Sequence, residues 1–336
     1  MKMHYCLLLF IFAINGLLAQ VSDFADVNFT RADNIAQIHQ GASLDNLPLL
    51  AYQLTSTLST DVEKFRAIYK WVCQNIKGDS RQFSKVEKQR KKLKHDSVSF
   101  MKWNREYKKI AFKKLLQHKT TMCTGYAYLI KELCFLANIR CQIIDGYARS
   151  VATNTKKIEY PNHSWNAVFL GNKWYLCDPT WSSGYLNQDN LFVRDYNDGY
   201  FLTAPDLFAK NHYPLQTEWL LDQEKSTSDF VSAPLIYDET IEKGIQPVYP
   251  QLMDITVQKN EEVNFSLSST NKVSEKDVQL VYYSGYKERI LGIYDRQQKD
   301  NIISFKHAFK AKGTYDTHIK IDGEIIATYT IVVTKD

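Results

Sequence analysis

Three residues of this chain would make a nucleophilic site if folding brings them together: Cys123, His163 and Asp178. His163 and Asp178 share one stretch, NHSWNAVFLGNKWYLCDPTW (residues 162–181), which is two apolar runs joined by Gly171-Asn172. Taken as a two-residue hairpin turn, Gly171-Asn172 sets Leu170 opposite Lys173 and His163 opposite Thr180. Strand side chains alternate, so any even loop length puts His163 and Asp178 on one face. They would be diagonal neighbours, roughly 7–8 Å apart at the backbone, within reach for an imidazole and a carboxylate. A carboxylate that fixes the tautomer of a histidine and stabilises its charged form is the orienting half of a covalent catalyst.

The nucleophile has to come from elsewhere. Cys123 follows Thr120 and Thr121, which can cap a helix, and so falls in the first turn of the run MCTGYAYLIKELC. Free N–H groups and the helix dipole there favour a thiolate. Gly125 and Ala127 would let that helix approach a sheet closely. Cys134 lies in the helix body, where a cysteine is usually a small hydrophobe. Zinc is a possible occupant by ligand type, from Cys123, His163 and Asp178, but no tightly spaced ligand pair supports it. Trp165 and Trp181 flank the hairpin ends, and serve equally as cleft walls or as core residues.

The elements around these residues follow from periodicity and caps. Residues 42–58 are expected to be helical, with Asp45 as the cap. In STDVEKFRAIYKWVCQNIKGD, Val62, Phe65, Tyr69, Val72 and Ile76 recur at helical steps, Thr60 or Asp61 can start the helix, and Gly78 stops it. A turn at Asn138 leads from the Cys123 helix into a strand. From Leu235 onwards, alternating runs between turn residues predict a β-sandwich of immunoglobulin-like size. Two domains are the natural division of 336 residues, at 20–234 and 235–336. A composition of 44% hydrophobic and 24% charged residues, with 21 Tyr and 17 Phe, is that of a globular protein and not a disordered one.

The motifs KTTMCTGYAYLIKELC, YPNHSWNAVFL and KWYLCDPTW, in this order, resemble the transglutaminase-like superfamily, most closely its kyphoscoliosis-peptidase-like branch. FRAIYKWVCQNI upstream and GYFLTAPDLFAKNHYPLQTEWLL downstream resemble it too, so the likeness spans roughly residues 45–225. The resemblance implies a papain-like α+β fold with Cys123 as nucleophile, His163 as base and Asp178 as orienting acid, and needs no cofactor. Gly78 departs from the pattern, where an aromatic commonly precedes the aspartate. The Cys123 N–H is one expected oxyanion donor. Gln117, six residues before Cys123, is another candidate, at a spacing that papain-like proteases use.

Three further expectations concern surroundings. Met1–Gln20 has a lysine, an apolar run and a small residue, Ala19, before Gln20, the layout of a secretory signal peptide. The mature chain is then exported, with an uncleaved anchor as the alternative and no other stretch able to span a membrane. Five cysteines remain, Cys73, Cys123, Cys134, Cys141 and Cys177, an odd number that leaves at least one without a partner in the same chain. Residues 77–119 hold fifteen Lys/Arg against four Asp/Glu, while the whole chain carries only +5. That segment is either a solvated insertion or lid, or a contact for an anionic surface. It lacks the interleaved aromatics of a nucleic-acid binder. The expected function is exported cysteine acyl transfer on protein or peptide carbonyls, with hydrolysis favoured. Crosslinking, and a non-catalytic cell-surface binding role, are the alternatives.

Overall fold

The computed structural model describes residues 21–151, 158–187, 189–221, 224–269 and 278–335. The stretch read as a signal peptide lies outside the described residues. No helix among the described residues is long and apolar enough to cross a membrane.

The first helices, α1 (Thr30–Ile38), α2 (Leu47–Thr55) and α3 (Asp61–Asn75), form one side of the core. α2 is capped by Asn46, not Asp45: the Asn46 side chain accepts from the Leu49 N–H at 3.0 Å. α3 begins at Thr60 in a reciprocal capping box with Glu63, and its Phe65, Ile68, Tyr69 and Val72 are buried. A short strand follows, β1 (Lys77–Gly78). A Cβ on Gly78 would come within 2.6 Å of the Phe192 ring. The aromatic expected before Asp79 therefore has no room, because a ring from elsewhere in the chain fills its place.

The basic segment folds as two helices, α4 (Ser80–Lys92) and α5 (Ser97–His118). It returns through β2 (Thr120–Thr121), which pairs with β1 in parallel. Thr120 and Thr121 are thus strand residues. α6 (Cys123–Leu136) starts directly after Met122 with no side-chain cap, and the expected threonine caps are not formed. Asn138, at φ 60°, turns the chain into β3 (Cys141–Ala148).

Next come β4 (His163–Leu170), β5 (Lys173–Cys177), α7 (Pro179–Ser183), β6 (Gly184–Leu186), β7 (Phe192–Arg194), α8 (Pro205–Phe208) and β8 (His212–Pro214). Gly171 and Asn172 both take positive φ, 51° and 70°, as a two-residue turn with strand-compatible twist demands. The register runs from Leu170↔Lys173 to Asn166↔Cys177. Strands β5, β4, β3 and β8 make one antiparallel sheet in that order. α6 packs on β3 and β4, with Tyr126, Ile130 and Leu133 buried among Trp71, Val72 and Val168. Asn166 stitches the layers together, donating from Nδ2 to the Ala127 carbonyl at 2.9 Å.

A connecting stretch of α9 (Thr227–Ser232), β9 (Leu235–Ile236) and α10 (Asp238–Lys243) leads to the second unit. Its strands are β10 (Ile245–Tyr249), β11 (Asp254–Gln258), β12 (Glu262–Ser269), β13 (Val278–Ser284), β14 (Lys287–Leu291), β15 (Tyr294–Lys299), β16 (Ile302–Ala308), β17 (Gly313–Ile321) and β18 (Glu324–Thr334). One sheet runs β10-β12-β16-β15 and the other β11-β18-β17-β13-β14, with β9 added beside β18. Phe265, Phe305, Ile319 and Tyr329 fill the space between them. The architecture is an α+β core, with α6 packed on an antiparallel sheet, followed by the two-layer β-sandwich that the alternating runs predict. Arg149, at the end of β3, ties the core to the connecting stretch by donating to the carbonyls of Phe230 (2.5 Å) and Ala233 (3.0 Å).

Close approach of β8 to β3 needs Gly146. A Cβ there would lie 2.3 Å from the Tyr213 carbonyl oxygen and 2.5 Å from the Trp165 ring. Gly146→Ala must push β8 away, and is expected to cost about 1–3 kcal/mol, read as a lower urea midpoint. An unchanged midpoint would show that β8 is not held this tightly.

Candidate active site

The hairpin delivers His163 to the first position of β4, opposite Gly146 of β3. Asn162 just before it locks this end of the sheet, bonding both the N–H (2.7 Å) and the C=O (2.9 Å) of Ala148. Asp178 arrives differently from the expected strand diagonal. The ladder ends at Cys177, and Asp178 becomes the cap of α7, accepting at Oδ1 from the N–H groups of Thr180 (2.8 Å) and Trp181 (3.3 Å). Its other oxygen, Oδ2, lies 2.6 Å from His163 Nε2. Pro179 at the first helical position suits this start, since it lacks an N–H that would need a partner.

Cys123 is the first residue of α6, packed on β4 so that its thiol meets the His163 ring. Nε2 of that ring is committed to Asp178, which leaves Nδ1 to face the sulfur. The β4–α6 contact is fixed beside the pair by Thr124 Oγ1, 3.3 Å from Ser164 Oγ, which in turn donates to Asp145 Oδ1 at 2.6 Å. Cys123, His163 and Asp178 are all buried.

The charges follow from these contacts. Burial pushes the Cys123 thiol up, but the charge and hydrogen bond of His163 outweigh it, helped by Arg90 and the Ser164 N–H, and the pKa is lowered. Burial opposes a charged His163, yet Asp178 and Cys123 together push the ring up to about 10. Asp178 is likewise raised by burial, and His163 and then His212 hold it well below the usual carboxylate range. These shifts favour a thiolate–imidazolium pair backed by a carboxylate. By contrast, burial drives Cys73, Cys134 and Cys177 upward, so these thiols stay protonated. All five cysteines among the described residues are free thiols.

His212 went unnoticed at the sequence level. Buried at the start of β8, it presents Nε2 to Asp178 Oδ2 at 3.1 Å, and burial pulls its pKa down to about 4. The only available signal was a second Asn-His pair, Asn211-His212, echoing Asn162-His163. His163, Asp178 and His212 put three ligand-type atoms within 4.8 Å of one another. They do not fit a zinc ion. Atoms 2.6 Å apart, each about 2.0–2.1 Å from the metal, would subtend about 80°, well short of tetrahedral.

The tryptophans divide. Trp165 is fully buried, its ring centroid 5.0 Å from that of His212, and is a core residue. Trp181 is half-buried, with ring centroids 5.3 Å from His163 and 4.6 Å from His212, and shields the pair from water. Gln117 is exposed on α5 and does not line the cavity beside the site, so its position gives no support to an oxyanion role. The glutamine at that wall is Gln82 of α4. Its Oε1 accepts from the Met122 N–H (2.9 Å) and the Thr121 hydroxyl (3.3 Å), so its amide nitrogen faces away from the loop that carries Cys123. Nothing in the spacing before Cys123 points to a residue so far upstream.

The basic segment roofs the site. Val86 packs with Met122 and Cys123, with Trp103 and Tyr107 against them. Arg90 donates to the Asn162 carbonyl at 2.8 Å, and Lys114 pairs with Asp79, the cap of α4. Beneath the roof is a cavity of about 140 Å³ lined by Arg90, Phe100, Tyr107, Lys108, Phe112 and His163, among others.

Residues 49–179 match the family described as the transglutaminase-like superfamily. Its relatives include kyphoscoliosis peptidase of Homo sapiens, 31% identical over 221 residues, a match covering 64% of this chain and 30% of that protein. The Mus musculus kyphoscoliosis peptidase is 30% identical, covering 60% and 28%. Hillarin of Drosophila melanogaster is 26% identical, covering 64% and 25%. The chain thus spans under a third of the length of each of these relatives.

A thiolate held by His163 should be alkylated by iodoacetamide well below the free-cysteine pKa of about 8.5. His163→Ala should return Cys123 to slow, alkaline-dependent labelling. If Cys123 labels no faster than the other four cysteines at neutral pH, the ion pair is not formed.

The pair also sets a pH window for stability. Asp178, with a lowered pKa, stabilises the fold above the usual carboxylate value, and that contribution is lost as pH falls. His163, with a raised pKa, stabilises below its unfolded value of about 6.5, and its contribution fades as pH rises toward about 10. Asp178→Ala leaves buried partners uncompensated and should cost about 3–5 kcal/mol near neutral pH. In chemical denaturation that deficit should shrink at either extreme; a deficit independent of pH would contradict the pairing.

Proposed function

We propose that this protein is a cysteine acyl-transfer enzyme acting on peptide or glutamine carboxamide carbonyls, most readily as a peptide hydrolase. The observation that carries the reading is the single line of contacts from Cys123 through His163 to Asp178. In the first half-reaction the Cys123 thiolate attacks the carbonyl carbon, and the carbonyl π electrons move to oxygen. The Cys123 N–H is the proposed donor to that oxyanion. His163 then gives its Nδ1 proton to the leaving amine as the C–N bond breaks, leaving a thioester. Water, deprotonated by His163, attacks the thioester, and the acid leaves as the thiolate reforms.

Whether water or an amine takes the acyl group separates hydrolysis from crosslinking. Water is always available, which favours hydrolysis. The name of the kyphoscoliosis peptidases supports the same choice. The 140 Å³ cavity has the size for one substrate side chain, and its aromatic lining favours an apolar one. The exposed lysines of α4 and α5 support docking of this face on an anionic surface, and Met1–Gln20 supports action outside the cytoplasm.

The test is a product assay on a peptide library, with and without a primary amine. Hydrolysis predicts free carboxyl products that persist when amine is added, and their loss in Cys123→Ala. Amine incorporation as the main product would move the assignment to crosslinking, and full activity in Cys123→Ala would remove Cys123 as the nucleophile.

A further inference from the structure

Asp178 is the inner end of a longer row of polar groups. Asp238 Oδ1 lies 2.8 Å from the Tyr200 hydroxyl, which lies 3.0 Å from Asn211 Nδ2. Asn211 Oδ1 lies 2.6 Å from His212 Nδ1, and His212 Nε2 lies 3.1 Å from Asp178 Oδ2. Tyr200, Asn211, His212 and Asp178 are buried, whereas Asp238, the first residue of α10, is only partly so. The row therefore joins a carboxyl within reach of water to the buried carboxylate behind His163.

Its protons can be counted. With Asp238 ionised, Tyr200 donates to it, and the Asn211 amide nitrogen donates to Tyr200. Asn211 Oδ1 then faces His212 and requires a proton on Nδ1. A neutral His212 has none left for Nε2, so a lone pair meets the Asp178 oxygen. One added proton closes every link. It can sit on His212, making an imidazolium, which the burial of that ring opposes. Otherwise it sits on Asp238, which donates to Tyr200. Tyr200 donates to Asn211 Oδ1, the amide having turned over; Asn211 Nδ2 donates to His212 Nδ1; and neutral His212 donates Nε2–H to Asp178.

We propose that Asp238, Tyr200, Asn211 and His212 are positioning residues forming a proton-carrying chain, in which the protonation of Asp238 sets whether His212 donates to Asp178. This rests on the reading of Asp178 as the partner of a working His163. When His212 donates, it shares the charge of Asp178 and weakens the hold of that carboxylate on the His163 proton; when the donor is lost, His163 becomes more basic. Asp238 is suited to the switching role. Burial raises its pKa, the Tyr200 bond lowers it, and Glu239, Asp178 and Asp195 raise it again, to about 6. The charged groups facing it are Glu239 on its own helix, Asp195 from the segment before Tyr200, and Asp178 across the row. Glu324 of β18 and Glu242 of α10 act on the adjacent Glu239. Facing His212 are Asp178, His163, the Phe208 backbone carbonyl and, through Asn211, Tyr200.

The chain is read by nitrogen NMR of histidine-labelled protein, with His212 assigned by loss of its signal in His212→Gln. Wild type should carry a proton on His212 Nε2 at low pH and lose it on a step near pH 6. Asp238→Asn, whose amide donates to Tyr200 permanently, should keep His212 Nε2–H throughout about pH 5–8. The corresponding step in the rate of Cys123 alkylation against pH should vanish in the same variant. Tyr200→Phe cuts the chain and should also abolish the step, which keeps the test open if Asp238→Asn does not fold. A wild-type His212 signal constant over this range, or a step unchanged in both variants, overturns the proposal. Should Cys123 alkylation prove independent of His163, the acyl-transfer reading fails first. Alkylation that depends on His163 but ignores Asp238 sinks only the chain.

Discussion

The Asp178 carboxylate is a charge with no contact to water, and much of the surrounding structure consists of groups that make such a charge tolerable. An isolated buried carboxylate would simply take up a proton. Here one oxygen is capped by two N–H groups from the first turn of α7, and the other faces two histidines. The residue's own carbonyl is held as well, by the Tyr69 hydroxyl of α3 at 2.9 Å. Helix, hairpin and α7 are thereby tied to one residue. Trp181, Trp165 and Phe208 close the space around the histidines, and the low dielectric they create strengthens each remaining bond.

The same exclusion of water shapes the nucleophile. Burial alone would make Cys123 as inert as Cys73 or Cys177, which have no histidine hydrogen-bonded to the sulfur and whose thiols are pushed far up. What distinguishes Cys123 is its place at an uncapped helix start against the histidine that Asp178 keeps charged. The α4–α5 roof adds apolar cover through Val86, Trp103 and Tyr107, and contributes Arg90 to the electrostatics. The basic segment, expected as a solvated insertion or lid or as a contact for an anionic surface, thus has two faces, one solvent-facing and cationic, the other part of the wall beside the thiol.

The connecting stretch gives the sandwich a route to this centre. α10 leans on β18, with the Thr240 hydroxyl donating to the Ile326 carbonyl at 2.5 Å and the Tyr237 hydroxyl 2.7 Å from Thr328 Oγ1. Asp238 sits between those two anchors. A shift of the sandwich relative to the core would move the Asp238 carboxyl with respect to Tyr200, so the second unit is more than a tether at the level of geometry.

What could be read from the chain alone was whatever local chemistry enforces. Gly171-Asn172 fixed the hairpin register because a two-residue turn with two positive φ values leaves one pairing open. Thr60 and Glu63 announced α3, and alternation announced the sandwich. Cys123, His163 and Asp178 were identifiable because their order and flanking motifs travel together in sequence. Where reasoning relied on sequence neighbours to supply contacts across space, it went astray. Thr120 and Thr121 were taken up by pairing with β1, Asp178 left the ladder to cap α7, and Gln117 pointed to solvent while Gln82 reached the site from another helix. His212 and Asp238 carry no local signature at all. Tertiary structure alone decided them, because a buried carboxylate recruits whichever donors the packed sheet and helices bring within about 3 Å, and sequence distance has no bearing on that selection.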